Sequence, residues 1–149
     1  MKARIATADD CALLAEMNHH LIRDEGHRNP MTVDELAERM KGWLTGGEYH
    51  AVLFEQDNHP LAYALYRSEG GSSVYLRQFF VARDHRRKGL GRAAIKMLLG
   101  EVLPRNCRVT LEVLCHNEAG KRFWAAAGFQ NYALTLEQFT PSSAPPLQP

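Results

Sequence analysis

The chain has 149 residues, a formal net charge of +1, and charged residues of both signs interspersed along it. That length fits one domain burying about two thirds of its unfolded surface, and the charge balance gives no global reason to expect a nucleic-acid or membrane partner. The three widely spaced cysteines (Cys11, Cys107, Cys115) form neither a C-x-x-C pair nor a zinc-like spacing, and there is no secretory h-region or long apolar run, so a reducing cytoplasm is the expected location.

Residues 2–6 alternate polar and apolar, as a half-buried edge strand does. Thr7 and Asp10 make a capping-box pattern, and Leu14, Met17 and Leu21 recur at helical spacing, which predicts a helix to about Ile22. The stretch 23–30 packs charge, Gly26 and Pro30 together and reads as a loop. Thr32 and Glu35 repeat the capping box, with Met31 and Leu36 placed for a hydrophobic staple, so a second helix is expected to about Leu44, ended by Gly46 and Gly47. From His50 the period changes to two, and strands at 50–55, 61–67 and 73–81 with turns between them form an antiparallel meander.

The run 92–103 places Ala94, Ile95, Leu98 and Val102 on one helix face and stops at Pro104. A strand at 109–115 then completes a strand, helix, strand unit long enough for a parallel crossover. Asn117 caps a short helix that stops at Gly128, and 132–139 is expected to close the domain as a strand. The division is therefore a domain at 1–140 and a Pro- and Ser-rich tail at 141–149 that cannot bury a core. A neighbouring chain would order such a tail, which is compatible with a homodimer.

Between the strand 74–81 and the helix that follows lies Arg86-Arg87-Lys88-Gly89-Leu90-Gly91. Glycines let a backbone turn tightly and approach a phosphate, and the free N–H groups and positive end of the next helix favour negative charge. The expected target is small and anionic. The seven histidines (His19, His20, His27, His50, His59, His85, His116) show no helical metal spacing, so no metal site is expected.

Two motifs in this order resemble those of the GNAT superfamily of acetyl-CoA-dependent N-acetyltransferases. The family's R/Q-x-x-G-x-G/A appears as Arg86-x-x-Gly89-x-Gly91, and its N-x-x-x-x-x-F-Y-x-x-x-G-F pattern falls on Asn117, Phe123, Trp124, Gly128 and Phe129. The resemblance implies an α/β (α+β) fold with a mixed, mostly antiparallel sheet of six or seven strands, about four helices, and a splayed parallel strand pair at the cofactor cleft. It implies acetyl-CoA as co-substrate. The diphosphate would sit on Arg86, Arg87, Lys88, Gly89, Leu90, Gly91 and Arg92, and the pantetheine arm against Phe79, Phe80 and Val81, flanked by Asn117, Phe123 and Trp124. The acceptor would be a primary amine of a small molecule or peptide.

Two departures bear on catalysis. Trp124 stands where the family often has a Tyr that protonates the leaving thiolate, and an indole N–H is not a useful acid. Tyr75 stands where some members carry a Glu base, and no carboxylate lies on 74–81. An ammonium has no lone pair, so a base must come from elsewhere. The titratable loop Asp24-Glu25-Gly26-His27-Arg28 lies where family members shape the acceptor pocket, which makes His27 and Glu25 the first candidates, with Glu112 and His116 second. Tyr63, Tyr66 and Arg77 are candidates to line the acceptor site, Arg77 favouring an anionic acceptor.

Two other readings compete with this one. Gly89-x-Gly91-x-x-Ala94 with Glu112 mimics a dinucleotide fingerprint, but seven mostly polar residues separate Val81 from Gly89 and only one crossover unit exists. An inactive acetyl-CoA-binding sensor is the alternative that Trp124 suggests.

Overall fold

The computed structural model describes residues 1–143 and 145–148. Strands β1 (Lys2–Ile5), β2 (His50–Gln56), β3 (His59–Ser68), β4 (Ser73–Val81) and β5 (Arg108–Thr110) stand in chain order in one sheet. The first four pair antiparallel, and β4 with β5 pairs parallel. Helices α1 (Cys11–Glu25) and α2 (Val33–Gly46) lie on one face. The other face takes α3 (Leu90–Met97), prolonged by the π-helical turn Leu98–Val102, and α4 (Glu118–Ala126).

With both faces covered, β2 and β3 carry apolar side chains at successive positions rather than at alternate ones. Leu53, Tyr63 and Leu65 pack with Leu14, Met17, Leu21 and Met40. Their neighbours Val52, Phe54, Ala62 and Ala64 pack with Ala94, Ile95 and Leu98. Leu14, Leu53 and Leu98 are wholly buried, so truncating any of them to Ala costs about 2–5 kcal/mol. The helix starts follow the local sequence. Thr32 Oγ1 accepts from Glu35 N–H at 3.2 Å and Glu35 Oε1 accepts from Thr32 N–H at 3.1 Å, the reciprocal box that opens α2.

One irregularity shapes the sheet where β4 leaves β5. The β3–β4 register jumps between Leu65 and Tyr66, which leaves Arg77 of β4 without a partner residue. Such a bulge puts two successive side chains on one face and bends the strand. Gln78 accepts from Tyr63 OH at 2.9 Å and Arg77 donates to Tyr49 OH at 3.3 Å, and both tyrosines belong to the α1–α2 core. Pairing of β4 with β5 ends at Tyr75 and Thr110, just before the bulge. From there the two strands part.

Among the described residues the sheet therefore has five strands, not the expected six or seven. The strand expected at 109–115 is paired only over Arg108–Thr110, because the bend of β4 takes its backbone out of hydrogen-bond reach of 111–114. The strand expected at 132–139 is not formed. Tyr132, Leu134 and Leu136 alternate as a strand requires, yet are 85%, 81% and 89% exposed, and the segment joins no ladder among the described residues. Alternation shows which side chains travel together, but a strand exists only where a neighbour bonds its N–H and C=O groups. This segment is held instead by side chains: Glu137 accepts from Arg28 at 2.8 Å, and Arg108 lies 4.6 Å from the Tyr132 ring centre. No helix among the described residues is long and apolar enough to cross a membrane.

Candidate active site

The turn ahead of α3 is shaped by two left-handed residues, Arg87 (φ 63°) and Gly89 (φ 75°). The first helical bond closes from Ala93 N–H to Gly89 O at 3.1 Å, and among the described residues the amides of residues 87–92 make no well-formed backbone hydrogen bond. An anion is what satisfies such a row of donors at a helix start. Gly91 has a different reason to be glycine: a Cβ there would lie 3.1 Å from Phe123 Cε2 and 3.3 Å from Val81 Cγ2. Its bare backbone lets α3 close onto the end of β4 and onto α4.

Arg86 does not hang free at this turn. Its Nε donates to Val81 O at 2.9 Å, its Nη2 donates to Asp24 Oδ2 at 2.7 Å, and its guanidinium lies 5.0 Å from the Phe80 ring centre. Arg83 Nη2 donates to Asp24 Oδ1 at 2.7 Å. Burial pushes the Asp24 carboxyl up, but the hydrogen bonds from Arg83 and Arg86 outweigh it and hold the group below the usual carboxylate range. Arg86 thus ties the end of β4 to α1. Arg87, Lys88 and Arg92 make no ion pair among the described residues, which leaves them as the cations around the unbonded amides.

The gap between β4 and residues 111–114 has an aromatic wall on its α3–α4 side. Phe79 stacks on Phe123 with centroids 5.8 Å apart, Trp124 meets Phe123 edge-on at 4.9 Å and Phe79 at 5.5 Å, and Phe129 follows at 5.3 Å from Trp124. Val81 packs with the same cluster. Phe80 points the other way, into the α1–α2 core, so only its backbone is available to the gap.

The opposite side of the gap is polar. Glu25 ends α1, where Gly26 turns left-handed (φ 68°). Its Oε2 accepts from Asn117 Nδ2 at 3.2 Å and lies 3.9 Å from His27 Nε2, while its backbone carbonyl accepts from His116 Nε2 at 2.8 Å. Asn117 also caps α4, its Oδ1 accepting from Gly120 N–H at 3.0 Å. Burial pushes the Glu25 carboxyl up, against the opposing pull of His27 and of the Asn117 hydrogen bond. A carboxylate raised in this way is a better proton acceptor than an exposed one. Across the gap Tyr75 OH donates to Glu112 Oε1 at 3.1 Å, and burial, with the Glu112 charge next, pushes the Tyr75 phenol up to about 12.

The structure gathers the expected site residues unevenly. Glu25, His27, His116 and Asn117 meet, and Phe79, Val81, Phe123, Trp124 and the 86–92 turn meet on the other side of β4. Tyr63 is completely buried and spends its hydroxyl on Gln78. Tyr66 packs on the α3 face, away from Arg77. Sequence reasoning missed Asp24 as the anchor of Arg83 and Arg86, and it missed Arg39, Trp43 and Tyr49, which surround Arg77. The four-residue spacing of Arg39 and Trp43 on α2 was the available signal for the last group. Among the described residues no group of His, Cys, Asp and Glu is placed to hold a metal ion.

Comparison with known proteins agrees with this geometry. The sequence profile of the acetyltransferase (GNAT) family matches residues 14–129. No curated protein sequence matches significantly. Among solved structures, a possible acetyltransferase from Clostridium difficile 630 superposes with a TM-score of 0.73 at 18% identity, over 94% of this chain and 97% of the other. A predicted acetyltransferase from Clostridium acetobutylicum, solved with acetyl-CoA, gives 0.72 at 19% identity over 93% and 95%. An aminoglycoside N-acetyltransferase in complex with CoA gives 0.70 at 13% identity over 93% of each chain.

Proposed function

The chain belongs to the acetyltransferase (GNAT) family, with acetyl-CoA as co-substrate, and from that premise we propose that it transfers an acetyl group directly to a primary amine of a small molecule or peptide. The observation that carries the proposal is the pairing of six unbonded amides at the start of α3 with a gap that opens between β4 and residues 111–114 immediately before it. The first fits a diphosphate and the second fits an extended thioester arm.

In this reading the amides of residues 87–92, with Arg87, Lys88 and Arg92, hold the diphosphate, and Leu90 contributes through its backbone. The backbone of Phe79, Phe80 and Val81 aligns the arm, and the wall of Phe79, Phe123 and Trp124 keeps water from it. Asn117 fixes Glu25, and Glu25 with His27 takes the proton from the incoming ammonium so that nitrogen presents a lone pair. Both reactants held in one cleft supply most of the acceleration through proximity, and strand N–H groups near the bulge polarise the carbonyl. Trp124 packs and donates no proton. A cytoplasmic setting accords with the free thiols of Cys11, Cys107 and Cys115.

The proposal extends to assembly as a homodimer. The apolar row Tyr132, Leu134 and Leu136 is exposed with an unpaired backbone, and β5 has only one paired edge. A second copy offers the same segment and the same edge, so reciprocal strand addition satisfies both chains at once.

Calorimetry with CoA, followed by thiol release from acetyl-CoA against an amine panel, tests the reading. Heat on binding and steady thiol release with some amine are expected. Tight CoA binding with no turnover for any amine would instead support the sensor role.

A further inference from the structure

We infer that Arg39, Arg77 and Trp43 form an anion subsite for the acyl acceptor, so that the substrate amine carries a carboxylate or phosphate group. This deepens the acetyltransferase reading and rests on it for the word acceptor. The three residues stand together on the α1–α2 side of the sheet. Arg39 lies 4.5 Å from the Trp43 ring centre and Arg77 lies 4.9 Å from the same ring, so one indole carries two guanidiniums. Trp43 in turn leans on Tyr49 with centroids 4.7 Å apart, and Tyr49 OH accepts from Arg77 Nη1 at 3.3 Å.

Two like charges set on one indole repel, and an anion beside them would offset that repulsion. Neither guanidinium has one: among the described residues Arg39 and Arg77 make no ion pair. Glu112 is engaged with Tyr75 OH, and Glu48 and Glu69 with Arg67. Arg39 Nε is moreover buried without any hydrogen-bond partner, an unmet donor in a half-buried side chain. Burial, and then the neighbouring Arg77 charge, hold the Arg39 guanidinium below its usual value.

The location makes the missing anion part of a substrate. Arg77 is the bulged residue of β4, two positions beyond the last β4–β5 pair, which puts this member of the subsite next to the gap where the thioester is proposed to lie. It lies on the face opposite the Phe79, Phe123 and Trp124 wall. An amine entering from that side brings any anionic group past Arg77. The half-buried Trp43 ring offers an apolar surface for the carbons between that group and the amine, and a planar guanidinium meets carboxylate or phosphate with two parallel N–H donors.

The test pairs acceptors that differ only in charge: ω-amino carboxylates of graded length with their carboxamides, and phosphoethanolamine with ethanolamine. Thiol release is followed at saturating acetyl-CoA. The expected result is that at least one anionic member exceeds its neutral counterpart in kcat/KM by about 10- to 100-fold. That ratio should collapse toward one in Arg77→Gln and in Arg39→Gln, and recover in part in Arg77→Lys. The arm in which the preference appears separates carboxylate from phosphate. A second readout needs no turnover: in a Trp124→Phe variant the remaining tryptophan is Trp43, and its fluorescence should titrate saturably with the anionic probe and not with the neutral one. If anionic and neutral amines turn over alike, or the preference survives both glutamine substitutions, the anion subsite is overturned while acetyl transfer stands. If no amine releases thiol but Trp43 still titrates with the anionic probe, the anion site stands and the transferase reading falls.

Discussion

Glu25 at the end of α1 and Asn117 at the start of α4 are 92 positions apart in sequence and are joined by a hydrogen bond of 3.2 Å. The bond couples the end of α1, proposed to hold the base, to the helix proposed to wall the thioester arm. Asn117 could have been a helix cap and nothing more. Here its two amide atoms do two jobs, Oδ1 for α4 and Nδ2 for Glu25.

Replacing Glu25 by Gln separates catalysis from stability. Burial raises the Glu25 carboxyl, so the folded state prefers it neutral: its favourable contribution is present below the unfolded value of about 4.3 and is lost as pH rises through the folded value. Glutamine imitates the neutral form at every pH. Glu25→Gln should therefore match or exceed the wild type in thermal stability at pH 7, with the difference closing below about pH 4. It should lose roughly 10²- to 10⁴-fold in kcat and the acid limb of its pH–rate profile. Unchanged turnover would move the base to another group.

The two glycines of the α3 turn should fail differently. Gly91→Ala presses a methyl group on Phe123 and Val81 and is expected to cost about 1–3 kcal/mol and to weaken CoA binding. Gly89→Ala meets open space, but its φ of 75° costs a side chain about 1–2 kcal/mol and strains the turn. Thermal unfolding together with CoA calorimetry checks both. A Gly91→Ala protein indistinguishable from wild type in both would show that α3 can lean away.

Asp24→Asn removes the shared partner of Arg83 and Arg86. The depressed carboxyl contributes stability above its unfolded value, and that contribution is lost as pH falls through the folded one. Since the two arginine side chains are 48% and 39% exposed, the expected loss at pH 7 is about 1 kcal/mol or less. That corresponds to a fall of roughly 2–4 °C in Tm, vanishing in acid. A fall of equal size at acid pH would assign the effect to packing.

Leu134→Asp with Leu136→Asp puts charge on the exposed row of the C-terminal segment. Light scattering after size exclusion should find the wild type as a dimer at micromolar concentration and the variant as a monomer. A monomeric wild type would sink the reciprocal-strand proposal.

Much of this molecule is legible from its residues in order. The Thr32–Glu35 box opens α2 because a cap is satisfied within four residues, and the meander 50–81 follows from period-two patterning closed by short turns. The Arg86–Gly91 turn was readable because the positive φ of Gly89 and the crowding at Gly91 each demand glycine at a fixed position. These are local constraints, and local constraints are written in adjacent letters.

What only the tertiary structure decided depends on groups brought together from afar. Residues 132–139 have the pattern of a strand but no neighbour to bond, and pattern alone cannot supply one. The bulge at Arg77 turns two successive side chains to the same face, which strict alternation would have placed on opposite faces, and so it brings Arg77 to Trp43 and Arg39 of α2. Asp24 reaches Arg86, and Glu25 reaches Asn117, because the end of α1 is packed over the place where β4 and β5 part. The order of residues determined the left-handed turn before α3 and the helix caps, since each is satisfied within a few bonds along the chain. The groups proposed to handle the proton and to hold the acceptor were placed by the fold, since their partners meet only after the sheet has bent.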